Sequence, residues 1–274
     1  IHEHLDLIAG LPYEDYATFA KSFDEIYALK PNQLQLGFLK VLKGSYMYEH
    51  AAEYEIVYHA KTPYEVMKTK WLSFDDVLKI KQVEEMLEVY YNSGQFEITM
   101  KLMECIFDSS FEFFQELGDF YEANGYFGMS HSRIRRCEIL LEFLALYLHG
   151  CDSDAITSVG LSENHGDRDN TDFDENAQIY KMIQESLIFD LYYRENCKSR
   201  PVWATDIGSF KHMTHAYCKN GKLSHVEPFH YIFPDKHTRK LDELPKYHKE
   251  PVWALFHYDM RDPLDHQALV EYIE

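Results

Sequence analysis

Histidine is the residue type here with the broadest chemical repertoire: fifteen are present, and neutral imidazole ligates zinc, copper and iron. His2-x-His4, His212-x-x-His215, and His225 with His230 are spaced so that two rings could approach one ion. A zinc site needs three or four convergent His, Cys or carboxylate ligands. His212 and His215 would share a helical face, but no third partner can be assigned, so these residues read as hydrogen-bonded or exposed histidines. His131 and His149 fall beside helix ends and read as capping or surface groups. No metal ligand and no catalytic residue is assigned.

The other chemical side chains are as quiet. The five cysteines, Cys105, Cys137, Cys151, Cys197 and Cys218, are odd in number, widely separated and without a C-x-x-C pair, so they read as free thiols in a reducing cytoplasm. Glu84-Glu85 and Asp75-Asp76 sit on predicted helix surfaces as solvated charge. No G-x-S-x-G, P-loop or H-E-x-x-H pattern occurs. Tyr90, Tyr91, Phe113, Phe114, Tyr121 and Tyr126 could line a pocket for a flat or apolar molecule, although at this spacing packing in a core is the expectation. More distinctive is the group Ile8, Gly10, Leu11, Pro12 and Glu14. There an apolar run ends in a glycine that lets a ligand approach the backbone and a proline that stiffens the exit loop.

Elements must position that group. Residues 4–9 read as a buried strand, and a helix follows whose apolar positions Tyr16, Phe19, Ala20, Phe23, Ile26 and Tyr27 recur at three and four residues. Glu14 and Asp15 are expected in its first turn and Pro31 stops it. Residues 33–38 give a second strand, including Leu36 and Gly37. A helical crossover of this length predicts parallel strands whose C-terminal ends open toward a site. Both strands read as buried on both faces, with the leftover edge covered by tail strands or by a second copy of the chain, a route to a homodimer.

Beyond residue 62 the pattern is helical. Ser73 and Asp76 form a capping box, followed by the stripe Val77, Ile80, Val83, Leu87 and Tyr90 and a stop at Asn92-Ser-Gly94. Further helices span 110–122, ended by Asn124-Gly125, and 133–148, apolar on most sides and expected at the centre of a bundle. Residues 150–176 read as an acidic exposed loop, 175–193 as a helix, and 226–233 and 252–258 as strands. Pro-Val-Trp-Ala at 201–204 and 251–254 hints at two equivalent strand starts. The predicted class is α+β, mostly helical: a βαβ unit (1–45), a helical domain (46–149), the acidic loop (150–176) and a helix with a β-rich tail (177–274).

With 46% hydrophobic residues and a net charge of −19, the chain can bury a core and has no general affinity for nucleic acid. Residues 198–249 carry ten Lys/Arg against five Asp/Glu, a local +5 that leaves −24 elsewhere. No membrane span is expected, because no run of about eighteen uncharged apolar residues occurs. Ile1 in place of Met, with no leader behind it, is taken as a cut.

The segment Leu5-Asp-Leu-Ile-Ala-Gly-Leu-Pro-Tyr-Glu14 resembles the signature D-x-I-x-G-L-P-x-E near the fifth strand of the radical SAM barrel. Leu34-Gln-Leu-Gly-Phe-Leu-Lys-Val-Leu-Lys-Gly-Ser45 is similar to the sixth strand of B12-binding radical SAM proteins. The helical region and aromatic tail resemble a C-terminal extension of one subgroup, whose relatives are often labelled Mg-protoporphyrin IX monomethyl ester oxidative cyclase; that label is analogy, because function belongs to the site. The resemblance implies that Ile8, Gly10, Leu11, Pro12, Glu14, Leu36 and Gly37 wall a cofactor site, with the strand end packed against the adenine of S-adenosylmethionine. It further implies a parent enzyme that binds S-adenosylmethionine, a [4Fe-4S] cluster and cobalamin. Its partners would be its own cobalamin and barrel domains and a small-molecule or carrier-borne substrate.

The C-x-x-x-C-x-x-C loop and the first four barrel strands are absent from these 274 residues, so this portion alone is expected to bind none of the cofactors and to be inactive. The expected function is to close the barrel and cover the substrate side of a cytoplasmic enzyme of radical methylation, oxidative cyclisation or related carbon-centred chemistry. The alternative is a non-catalytic module that docks a partner protein or carrier-borne substrate through the +5 region.

Overall fold

Alternation of apolar and polar residues in the first forty positions builds a small parallel sheet with one covered face. In the computed structural model, which describes residues 2–149, 170–218, 223–234, 238, 241, 243–263 and 265–273, β1 (His4–Ala9) pairs in parallel with β2 (Gln33–Phe38) across α1 (Tyr16–Tyr27). The register sets Leu5 beside Leu34, Asp6 beside Gln35 and Ile8 beside Gly37. Leu34, Leu36 and Phe38 are buried, whereas His4, Asp6, Ile8 and Gln35 are exposed. The expectation of burial on both faces is therefore corrected. Polar residues at every second position leave one face open, which an apolar-run count misses.

The chain forms two compact units, residues 1–94 with 106–128, and residues 95–105 with 129–274. In the first, α2 (Tyr46–Glu49) and the antiparallel pair β3 (Val57–Tyr58) and β4 (Val66–Lys68) follow β2. α3 (Phe74–Leu87) starts at the expected capping box of Ser73 and Asp76 and runs into a π-helical turn at 88–92. α4 (Glu97–Ile106), not foreseen from the sequence, crosses into the second unit. α5 (Ser110–Ala123) returns to the first and packs on α3 and α1. Gly118 permits the first contact: a Cβ there would lie 3.0 Å from Gln82 Cβ. Phe23 meets Phe111 edge to face at 5.5 Å.

Side chains from the helices also tie down loose backbone. Asp15 caps α1 by accepting from the Thr18 amide, so it precedes the first turn instead of occupying it, and Glu14 lies outside the helix as well. Asp24 of α1 accepts from Ser109 Oγ at 2.7 Å and from the Phe111 amide at 2.8 Å, steadying the start of α5. Asn92 stands in for a strand neighbour of β2, accepting from Leu34 N–H at 3.0 Å and donating to Leu34 O at 2.8 Å. The other edge, along β1, has no strand partner among the described residues.

In the second unit, α6 (Arg133–His149) packs against α7 (Asn170–Arg194), which begins within the stretch expected to be loop; residues 150–169 lie outside the described residues. A short 3-10 turn leads into α8 (Lys211–Tyr217). β5 (Ser224–Phe229), β6 (Val252–His257) and β7 (Leu269–Ile273) form an antiparallel sheet. Phe189 of α7 packs among Phe229, Phe233 and Phe256 at 5.3–5.7 Å.

These tail strands pair only with one another among the described strands. The repeated tetrapeptide is not a structural repeat. Residues 201–204 form a turn with Val202 95% exposed, while 251–254 lead into β6. Among the described residues no helix is long and apolar enough to cross a membrane.

Candidate functional site

The exposed face of β1 and β2 and the loop that leaves β1 hold the residues singled out in the sequence, and the structure sorts them. Ile8, 44% exposed, and its neighbour Gly37 lie on the open face, where a Cβ on Gly37 would meet nothing closer than 3.8 Å. Leu11 is also exposed. Leu36 points the other way, into the core, so only its backbone could reach a ligand. Pro12 and Glu14 are half-covered. Burial pushes the Glu14 carboxyl above its ordinary range, opposed by the Ser22 hydroxyl, which donates to it at 3.2 Å.

Gly10 is buried with φ 89°, and the direction a side chain would take is filled by Val66, whose Cγ1 lies 2.8 Å from an added Cβ. Its missing side chain therefore serves packing between the β1 exit and β4. Gly10→Ala should lower stability by about 2–4 kcal/mol, the left-handed penalty added to overpacking. Urea denaturation of the chain measures this, and a loss of only about 1 kcal/mol, the left-handed penalty alone, would mean that Val66 moves aside freely.

The strongest electrostatic arrangement lies in the second unit and was not found in the sequence. Glu227 of β5 is 1% exposed. Its carboxylate takes both terminal nitrogens of Arg200, Nη2 at 2.9 Å, and His225 Nε2 at 2.6 Å. Arg200 also donates to Tyr192 OH at 3.2 Å and to Thr205 O at 3.0 Å, and the His225 ring stacks on Tyr192 at 3.7 Å. The arrangement meets a buried carboxylate with a bidentate guanidinium and fixes one imidazole between that carboxylate and a phenol ring. The only local sequence signal was His225-x-Glu227, two polar residues on one side of a strand.

Nearby, His230 donates its backbone N–H to Glu185 at 2.6 Å, and its Nδ1 meets the same carboxylate at 2.7 Å. His4 pairs with Asp6 at 3.1 Å, and His212 lies edge-on to Trp253 at 6.1 Å.

Among the described residues no group of three or more His, Cys, Asp or Glu is arranged to hold a metal. Cys137 is buried, and burial pushes its thiol up to about 12, while Cys105 is exposed and Cys151 lies outside the described residues. The described cysteines thus do not fit the grouped thiolates of an iron-sulfur cluster. Asp76 serves the α3 capping box, and burial raises Glu84 and Glu85. Tyr90, Phe113, Phe114 and Tyr121 are core, with the Tyr90 and Tyr121 hydroxyls 2.7 Å apart. Of the basic tail, Lys211 begins α8, whereas Lys219, Lys222 and Lys236 lie outside the described residues.

A family model described as protein of unknown function (DUF4080) matches residues 52–268. No curated protein matches the chain. The matched span begins just after α2 and ends just before β7, and leaves β1, α1, β2 and α2 in front of it.

Proposed function

The chain belongs to the DUF4080 family of proteins of unknown function, and from that premise we propose that it is the C-terminal portion of a cobalamin-type radical SAM enzyme in the cytoplasm, closing the barrel and covering its substrate side. The observation that carries this reading is the open face of the β1–β2 pair. A parallel pair is normally covered on both faces, yet this one covers only the side of Leu34, Leu36 and Phe38. Its other side shows Asp6, Ile8, Gln35 and Gly37, and the β1 edge has no strand neighbour among the described residues. A surface of this kind suits the inside of a barrel whose other strands come from elsewhere in the parent, with polar Asp6 and Gln35 toward the lumen.

In that role the contribution of this chain is to bind and orient. The β1 exit would offer backbone and the apolar side chains Ile8 and Leu11 to a bound ligand, and the family-matched region would keep water from it. The cluster, S-adenosylmethionine and cobalamin would be held mainly by the parent's other domains and would supply the redox and group-transfer chemistry.

The test is anaerobic purification and cluster reconstitution of the parent protein. Cobalamin uptake together with formation of 5'-deoxyadenosine or S-adenosylhomocysteine is the expected result. A parent that takes up no cobalamin and forms neither product overturns the reading.

A further inference from the structure

His225 and Glu227 stand two apart on β5, so both project from the same side of the strand. A carboxylate that already accepts from the Arg200 guanidinium has no proton to give, so across their 2.6 Å contact it is His225 Nε2 that donates to Glu227. The neutral ring then carries its lone pair on Nδ1, which has no hydrogen-bond partner among the described residues, and the side chain keeps 14% of its surface open. Stacking on Tyr192 at 3.7 Å, with the planes 17° apart, holds the ring from its face. His4, His230 and His257 also meet carboxylates, but none is built in this way. Their partners Asp6, Glu185 and Glu271 are 66%, 14% and 60% exposed and meet no guanidinium among the described residues, whereas Glu227 is sealed and clasped.

We propose that His225 is a nucleophile for activated acyl groups, with Glu227 as its positioning residue and Arg200 holding Glu227 in place. An imidazole oriented through one nitrogen and free at the other has the geometry of an activated nucleophile, its orienting group being fixed in turn by a third. Stability does not call for such a cluster, because apolar side chains of similar volume replace a buried ion pair at little cost. Charge selects the occupant. Arg200 spends its donors on Glu227, the Thr205 carbonyl and the Tyr192 hydroxyl, so it cannot clasp the oxygens of a phosphoryl group. An acyl carbonyl brings no charge that must be met.

Nδ1 attacks the carbonyl carbon of an ester or thioester, the C–O or C–S bond breaks, and an alkoxide or thiolate leaves. Glu227 keeps the Nε2 proton on the ring, so the intermediate is an acylimidazolium, which is more reactive than the neutral acylimidazole. Water then attacks the acyl carbon, gives one proton to the departed alkoxide or thiolate, and the C–N bond breaks with its electron pair returning to Nδ1. One ester or thioester and one water become one carboxylic acid and one alcohol or thiol, with no change in oxidation state. All of these residues lie in the second unit, and the step needs neither the cluster, S-adenosylmethionine nor cobalamin.

The probes are p-nitrophenyl acetate and the acetyl thioester of N-acetylcysteamine, offered to the 274-residue chain, with acid quenching and peptide mass spectrometry to locate a trapped acetyl group. Saturable hydrolysis of at least one probe, with the acetyl group on His225, is expected. Saturation by the ester alone assigns an alcohol ester as the source, by the thioester alone a thiol-borne acyl group, and by both an acyl group taken from either. His225→Gln, shown to be folded by circular dichroism, should lower kcat/KM by about 100-fold, and Glu227→Gln should lower kcat while leaving KM within about twofold. Hydrolysis of neither probe that saturates, no acetyl group on His225 in the unmodified chain, undiminished kcat/KM in folded His225→Gln, or an unchanged kcat in Glu227→Gln overturns the proposal.

Discussion

Arg200→Met lowers the stability of the chain by about 3–5 kcal/mol, because it strands the Glu227 carboxylate in a site that excludes water. Glu227 is 1% exposed, and its charge is met by the Arg200 guanidinium and His225 alone among its described partners. Removing the guanidinium leaves an anion with one imidazole, and the cost of its desolvation is no longer offset. The Tyr192 hydroxyl and the Thr205 carbonyl lose a donor in the same step. If the loss comes from the uncompensated charge, removing both ends relieves it: Arg200→Met with Glu227→Leu should recover most of the stability, since well-packed apolar groups replace buried ion pairs at little cost. Chemical denaturation of the two variants decides the matter. A double variant as unstable as the single one would show that the guanidinium acts through packing instead of charge.

Asp190→Ala should cost about 3 kcal/mol, and Asp190→Asn should change how stability depends on pH. Asp190 of α7 accepts from the amides of Ile98 at 3.0 Å and Thr99 at 2.9 Å and from the Thr99 hydroxyl at 2.7 Å. It thereby caps α4 from about ninety residues away in sequence. Alanine orphans these buried donors, at about 1–3 kcal/mol for each buried group left unpaired. Burial raises the Asp190 carboxyl to about 6, against the opposing pull of those hydrogen bonds and of Arg133. A carboxyl raised on folding binds a proton more tightly in the folded chain. Its stabilising share is thus complete below the unfolded value near 4 and is lost as pH rises through about 6. Relative to Asp190→Asn, the parent sequence should lose about 3 kcal/mol between pH 4 and pH 7. A difference flat over that range would mean that the carboxylate is not desolvated as its burial implies.

Both predictions concern residues whose partners are distant in the chain, and that is where sequence reading ran out. The βαβ unit was legible because its signals are local. Strand alternation, the stop at Pro31 and a crossover of helical length lie within forty residues; β1 and β2 fall where they were expected, while α1 starts only after Glu14 and Asp15. The Ser73 and Asp76 capping box spans four positions, and the Asn124-Gly125 stop of α5 two. By contrast, Pro-Val-Trp-Ala folds as a turn in one copy and as the entry to a strand in the other, since four residues do not decide between states that their neighbours decide. α4 was missed because its N-terminal cap is not in its own sequence but on α7.

The candidate site divides in the same way. The glycine at position 10 was legible as a special backbone position, but what fills the space beside it, Val66, is contributed by a strand more than fifty residues later. Leu36 and Gly37 are neighbours in sequence, and pleating sends one to the core and leaves the other on the open face.

The amino-acid order by itself determined β1, α1 and β2 with their parallel pairing, the capping box of α3 and the stop of α5, because the signals for these are local. Which strand face is bare and which carboxylates are buried were decided only by the tertiary structure. Burial and charge compensation are properties of the space around a side chain, and segments remote in the chain fill that space.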